Sequence, residues 1–252
     1  MKTNKSNLVN CSFRDFINES SYKKPLTEDE VIKLIKTKCK DIDFENKRYL
    51  LRSMTSSDDM VLLTGQDGER KSISTTNHYT KIIDHNLKGT GYPLRSKSII
   101  CSNSLYFVTR FAKKDENKIF VILPFDGVKI GVCEDEDIWD SYVELNGKKH
   151  EIARLNAAYK RNGVEDTSFE TIVDGIAKSL ENDESALGYL FKDKNKIKED
   201  LEKAYSIEAL KFSLIESKDI SKLEFSRECW IGGSCIAIRK SVFDEMIEKN
   251  IV

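Results

Sequence analysis

The stretch that decides the fold is Lys118-Ile119-Phe120-Val121-Ile122-Leu123-Pro124-Phe125-Asp126-Gly127-Val128-Lys129-Ile130-Gly131-Val132-Cys133. Two short apolar runs, 118–123 and 129–133, are rich in β-branched and aromatic residues and are separated by Pro124 and Gly127. That pattern predicts two strands around a turn, because proline and glycine punctuate and branched side chains favour the pleated surface.

Working outward, Lys97–Ser102 and Arg48–Met54 also read as strands. Residues 55–78 read as a long Ser-, Thr-, Asp- and Gly-rich loop with one apolar run, Met60 to Leu63. His78 to Leu87 reads as a helix, broken by Gly89, Gly91 and Pro93. Near the start, Thr27 and Glu30 have capping-box spacing ahead of Val31, Ile32, Leu34, Ile35 and Cys39, which predicts a helix ending near Lys40. Apolar spacing over 149–216 is helical, with Ile172, Val173, Ile176, Ala177 and Leu180, then Leu187, Leu190 and Phe191, then Ile197, Leu201 and Ala204. Glu228 to Ile238 reads as strand, glycine turn or bulge, strand, and Val242 to Glu248 as a closing helix. Helix, strands, helices, strands is an α+β order, not strict alternation. Neither a dinucleotide fingerprint nor a P-loop motif occurs.

The bulk numbers narrow the function classes. The 252 residues carry 41 basic and 42 acidic side chains, a net charge of −1, so overall charge does not favour nonspecific binding to nucleic acid or membrane. Six cysteines without a CxxC pair, and three histidines, disfavour a zinc site and read as buried reduced thiols. The N-terminus lacks the apolar run of a signal peptide, and no stretch approaches the roughly 18 apolar residues of a membrane span. A cytoplasmic protein with no membrane partner is the expectation.

Three segments stand out for chemistry: Tyr49-Leu50-Leu51-Arg52-Ser53, Ser98-Ile99-Ile100-Cys101-Ser102-Asn103-Ser104 and Glu224-Phe225-Ser226-Arg227-Glu228-Cys229-Trp230-Ile231. Singly, each has an ordinary structural reading: a surface arginine, a strand-ending turn, one strand-edge acid among many. Together and in this order they resemble the Arg–Ser–Glu class of ADP-ribosyltransferases, with an arginine on a first strand, a Ser-Thr-Ser-like motif on a second and a glutamate entering a later one. The stretches 70–80, 92–104 and 119–142 also look like bacterial and phage proteins of that type. The resemblance covers roughly residues 48–145 and 224–240.

The resemblance implies an α+β core of two small, mostly antiparallel sheets facing each other across a cleft for NAD, with flanking helices. Residues 1–45 would be a helical N-terminal extension and 46–252 the transferase-like domain, with a helical insertion at about 149–216. NAD would be the substrate, and a macromolecule (protein, RNA or DNA) the acceptor. A toxin or phage-conflict effector follows, with an antitoxin or other regulator as a partner class. Breaking the nicotinamide–ribose bond develops positive charge on the ribose, which a carboxylate stabilises; Glu228 takes that role. Arg52 would hold the pyrophosphate through its planar fork. Ser102 would orient the glutamate or ribose, and Ser104 would support the motif's turn. Arg95 is a second phosphate-anchor candidate, with a loop salt bridge as the equal alternative. Tyr79 is a candidate for stacking on nicotinamide or adenine. His78 reads as a helix-start residue. The run Glu134–Asp137 reads as a solvated loop, without the spacing of a calcium loop. Ser226 stands where the family usually carries Glu or Gln two residues before the catalytic acid, which leaves hydroxyl, thiol, base or other acceptors open. An NAD glycohydrolase, an inactive binding module of the same fold and an unrelated α+β protein are the rival readings.

Overall fold

A computed structural model of the protein describes residues 23–46, 48–65, 78–138, 168–181, 194–224 and 226–251. Its framework is one nine-stranded sheet in which every pairing is antiparallel. The strands are β1 (Lys23–Pro25), β2 (Leu50–Ser53), β3 (Met60–Leu63), β4 (Ile99–Ser102), β5 (Ile119–Pro124), β6 (Lys129–Val132), β7 (Ser213–Glu216), β8 (Glu228–Ile231) and β9 (Cys235–Arg239). Their order is β1-β3-β9-β5-β2-β4-β8-β6-β7.

The mixed α and β content agrees with expectation, but the strands form one sheet rather than two. The link is the pair Leu51–Ser102, the one register pair between β2 and β4, whereas β5 and β9 match over Phe120–Pro124. A short junction thus joins a five-strand part to a four-strand part. Both strand–turn–strand segments cross between the parts, for β5 and β6 do not pair with each other, and neither do β8 and β9. The two crossings brace one another: Phe125 N–H donates to Ser234 O and Gly232 N–H to Lys129 O. A Cβ at Gly233 would come within 2.9 Å of Val128, so a side chain there would push the crossings apart.

The helices are α1 (Glu28–Lys38), α2 (His78–Leu87), α3 (Leu105–Phe111), α4 (Phe169–Glu181), α5 (Lys194–Ala204) and α6 (Lys240–Glu248). Helix α1 begins with the expected capping box between Thr27 and Glu30. It buries Val31 and Ile35 in the same core as β5, β9 and α6, and β1 just before it pairs with β3, so residues 23–39 are built into the sheet and its core. The Met60–Leu63 run, expected inside a loop, is the strand between β1 and β9. Strand β7 lies at the end of the region expected to be helical, paired with β6.

The sheet is covered on both faces, which is why its strands read as continuous apolar runs. Alternation sorts the β4–β8 pairs: Cys101–Cys229 and Ile99–Ile231 join the core under α1 and α6, and Ile100–Trp230 joins a second core with α2, α4 and α5. Trp230 fits only because β6 carries Gly131 beside it; a Cβ there would lie 2.0 Å from the indole. His85 stacks on Phe169 at 3.9 Å, and the Asn86 amide donates to the carbonyls of Glu202 and Tyr205, so the described insertion helices are tied to α2. The expected apolar positions Leu187, Leu190 and Phe191 lie outside the described residues. Among the described residues no helix is long and apolar enough to cross a membrane.

Candidate functional site

Antiparallel register places Ser102, the last residue of β4, directly opposite Glu228, the first of β8, and the same Ser102 pairs with Leu51 of β2. The site therefore grows from the short junction between the two parts of the sheet. Arg52, Ser102 and Glu228 line one cavity there, together with Asp137 and the inner side of α3, namely Phe107, Val108 and Phe111. The volume is about 40 Å³.

Beyond Leu51–Ser102 the β2/β4 ladder stops, and Arg52 fills the gap by donating from Nη1 to the carbonyl of Ile100. At 8% exposure Arg52 is nearly buried, and it lines the cavity from the β2 side. Ser102 Oγ accepts the N–H of Ser104 at 3.1 Å, and Ser104 Oγ accepts the N–H of Phe107 at 3.2 Å. Ser104 is thus the N-cap of α3, and the Ser-Asn-Ser motif is a strand-to-helix corner with both hydroxyls used on backbone N–H groups. Asn103 locks the corner from outside, accepting from Arg227 N at 2.8 Å and donating to Glu224 O.

Glu228 is 2% exposed and fully engaged at one oxygen. Oε1 accepts from Arg95 Nε at 3.1 Å and Nη2 at 2.8 Å; Oε2 accepts from the backbone N–H of Ile138 at 3.0 Å. Its own backbone clamps the same segment, since Glu228 N–H donates to Asp135 O and Cys133 N–H to Glu228 O. Arg95 sits in a single helical turn, Arg95–Lys97, donates from Nη1 to Thr80 Oγ1 at 3.2 Å, and is 3% exposed. Burial works against its charge, but the Glu228 carboxylate and then Asp137 more than offset this and hold the guanidinium above its ordinary value. Asp84 anchors the same turn by accepting Ser96 N–H; burial raises its carboxyl above the usual range. The thiol of Cys133 is pushed up to about 12, first by burial and then by the Glu228 charge.

Of the two lower-ranked residues, Arg95 takes the salt-bridge alternative: it is the buried partner of Glu228 rather than an open anion anchor. Tyr79 lies in the second core at 2% exposure, edge-on to Tyr205 at 5.3 Å, with its hydroxyl donating to Ile138 O at 2.8 Å, so its ring is used in packing instead of being offered for stacking. Asp137, read with the acidic run as solvated, is 8% exposed and faces the cavity. The apolar Ile138 that follows it, fully buried, was the signal that the end of the run turns inward. Among the described residues no cluster of His, Cys, Asp and Glu could hold a metal ion, and Cys39, Cys101, Cys133, Cys229 and Cys235 are free and buried.

No family model, curated protein or solved structure matches this chain.

Proposed function

We propose that the protein is an NAD-dependent mono-ADP-ribosyltransferase that passes ADP-ribose to a macromolecular acceptor, protein or nucleic acid, with the toxin or phage-conflict role that such an activity serves. One observation carries the reading. Arg52, Ser102 and Glu228, picked out by resemblance from three separate segments, line a single cavity, with Ser102 and Glu228 opposite each other in register.

The division of labour follows from the side chains. Glu228, at the strand entrance, supplies a fixed negative charge beside the ribose where positive charge develops. Arg52 offers a charge-assisted donor for phosphate oxygens. Ser102 holds the corner that carries α3 past the acid. At about 40 Å³ the cavity is far smaller than the roughly 300–1,000 Å³ of ligand pockets, so the reading requires it to widen on binding. The wall suited to move is α3, a seven-residue helix of Leu, Tyr, Phe, Val, Thr, Arg and Phe. Helices this short are marginal on their own, and aromatic and β-branched residues disfavour them further, so α3 depends on the Ser104 cap and on packing to stay in place. Ser226 leaves the acceptor side without the usual Glu or Gln, and its backbone there is left-handed, with φ of 64°.

The test is to incubate the purified protein with NAD⁺ labelled in the adenylate, together with a bacterial lysate. Label on protein, RNA or DNA is the expected result; label only in free ADP-ribose identifies a glycohydrolase, and unchanged NAD⁺ removes the reading.

A further inference from the structure

We propose, building on the transferase reading above, that Arg95 is a positioning residue that pins Oε1 of Glu228 and leaves Oε2 as the oxygen that meets a ligand hydroxyl. Each carboxylate oxygen offers about two acceptor directions. Oε1 takes both of its bonds from Arg95, through Nε at 3.1 Å and Nη2 at 2.8 Å, and is used up. Oε2 takes one bond, from Ile138 N–H at 3.0 Å, and has one direction left on a residue that lines the cavity. The guanidinium is itself held, with Nη1 on Thr80 Oγ1 at 3.2 Å and the turn behind it fixed by Ser96 N–H on Asp84. Nε, Nη1 and Nη2 thus all have protein partners, and the side chain is 3% exposed, a geometry that serves the carboxylate and not a phosphate. Preorganisation of this kind acts on the transition state: the acid does not have to find its direction while the bond breaks.

The experiment compares Arg95→Gln and Arg95→Lys with the wild-type chain in two readouts. In steady-state NAD⁺ cleavage, Arg95→Gln is expected to lose roughly 10²-fold in kcat at nearly unchanged KM, because an interaction felt mainly in the transition state is weakened. Arg95→Lys, which keeps the charge but not the fork, recovers part of that loss. In residue-resolved amide exchange, the Ile138 N–H of Arg95→Gln exchanges about tenfold faster, since the carboxylate that accepts it is no longer held. A KM raised tenfold at unchanged kcat overturns the proposal in favour of a phosphate anchor, and unchanged Ile138 exchange overturns it as well. If the wild-type chain does not cleave NAD⁺, the transferase reading fails by itself and the exchange readout alone decides the positioning role. Should Arg95→Gln not fold, Thr80→Val removes only the hydroxyl behind Nη1. It is expected to move both readouts in the same direction by a smaller factor, and no movement in either overturns the proposal.

Discussion

Replacing Glu228 by Gln tests the buried pair before any chemistry is measured. Three donors converge on the carboxylate: Arg95 Nε and Nη2 on one oxygen and Ile138 N–H on the other. A glutamine has one oxygen, so its NH₂ must face either the guanidinium or the Ile138 amide, donor against donor. Arg95 keeps its charge in every case, because arginine does not deprotonate in proteins. Removing one partner of a buried ion pair costs about 3–5 kcal/mol, and glutamine, which keeps the shape and one acceptor, belongs at the low end, about 3 kcal/mol. At roughly 2–4 °C per kcal/mol for a chain of this size, Tm falls by about 6–12 °C. Urea melts followed by circular dichroism measure the loss. Pairing the substitution with Arg95→Met gives a thermodynamic cycle, in which the double variant is less destabilised than the sum of the singles by about 1–3 kcal/mol. A Glu228→Gln protein within about 0.5 kcal/mol of wild type, the scatter of ordinary surface substitutions, would refute the buried pair.

Two further outcomes follow from the packing. Gly131→Ala puts a Cβ against the buried Trp230 ring at a 2.0 Å starting distance, and the resulting overpacking costs about 1–3 kcal/mol in the same urea melts. Asp84→Asn alters the pH dependence of stability. Burial raises the folded-state pKa of Asp84 above its ordinary 3.8, so its protonation favours the folded chain. That contribution is complete below 3.8 and is lost as pH rises through the raised folded value. Wild type should therefore gain on Asp84→Asn as pH falls from neutral toward 4, in paired thermal melts; a gap independent of pH would show that burial does not govern this carboxyl.

Much of the sheet was legible because it is buried on both faces. The strand reading of 118–123 and 129–133 needs only short apolar runs bounded by Pro124 and Gly127, and the structure has strands at Ile119–Pro124 and Lys129–Val132. Which strands pair was not legible: β5 and β6 are neighbours in sequence yet lie in different parts of the sheet. Met60–Leu63 became a strand through partners at Lys23–Pro25 and Cys235–Arg239, information that no local window holds. Helix α3 was missed because Leu-Tyr-Phe-Val-Thr-Arg-Phe has weak helix propensity, and the Ser104 cap and packing over the cavity make it helical. At the site, Arg52, Ser102 and Glu228 were picked out by resemblance and stand on one cavity. The partner of Glu228 was not legible, since Arg95 is 133 residues away and its pairing exists only once β8 lies beside the Arg95–Lys97 turn. Nor could sequence show that the backbone N–H of Ile138, a group every residue carries, would hold the other oxygen.

The most direct measurement of the central claim is steady-state NAD⁺ cleavage by wild type, Glu228→Gln and Arg52→Ala, at a temperature where urea melts show all three folded. Wild type is expected to release nicotinamide. Glu228→Gln should lose on the order of 10²–10³-fold in kcat with KM changed little, because the carboxylate acts where charge develops. Arg52→Ala should instead raise KM, since the proposed phosphate contact would be made already in the bound ground state. Near-normal cleavage by folded Glu228→Gln would contradict the assignment and turn attention to Asp137, the other acid on the cavity, and no cleavage by wild type would contradict the account as a whole.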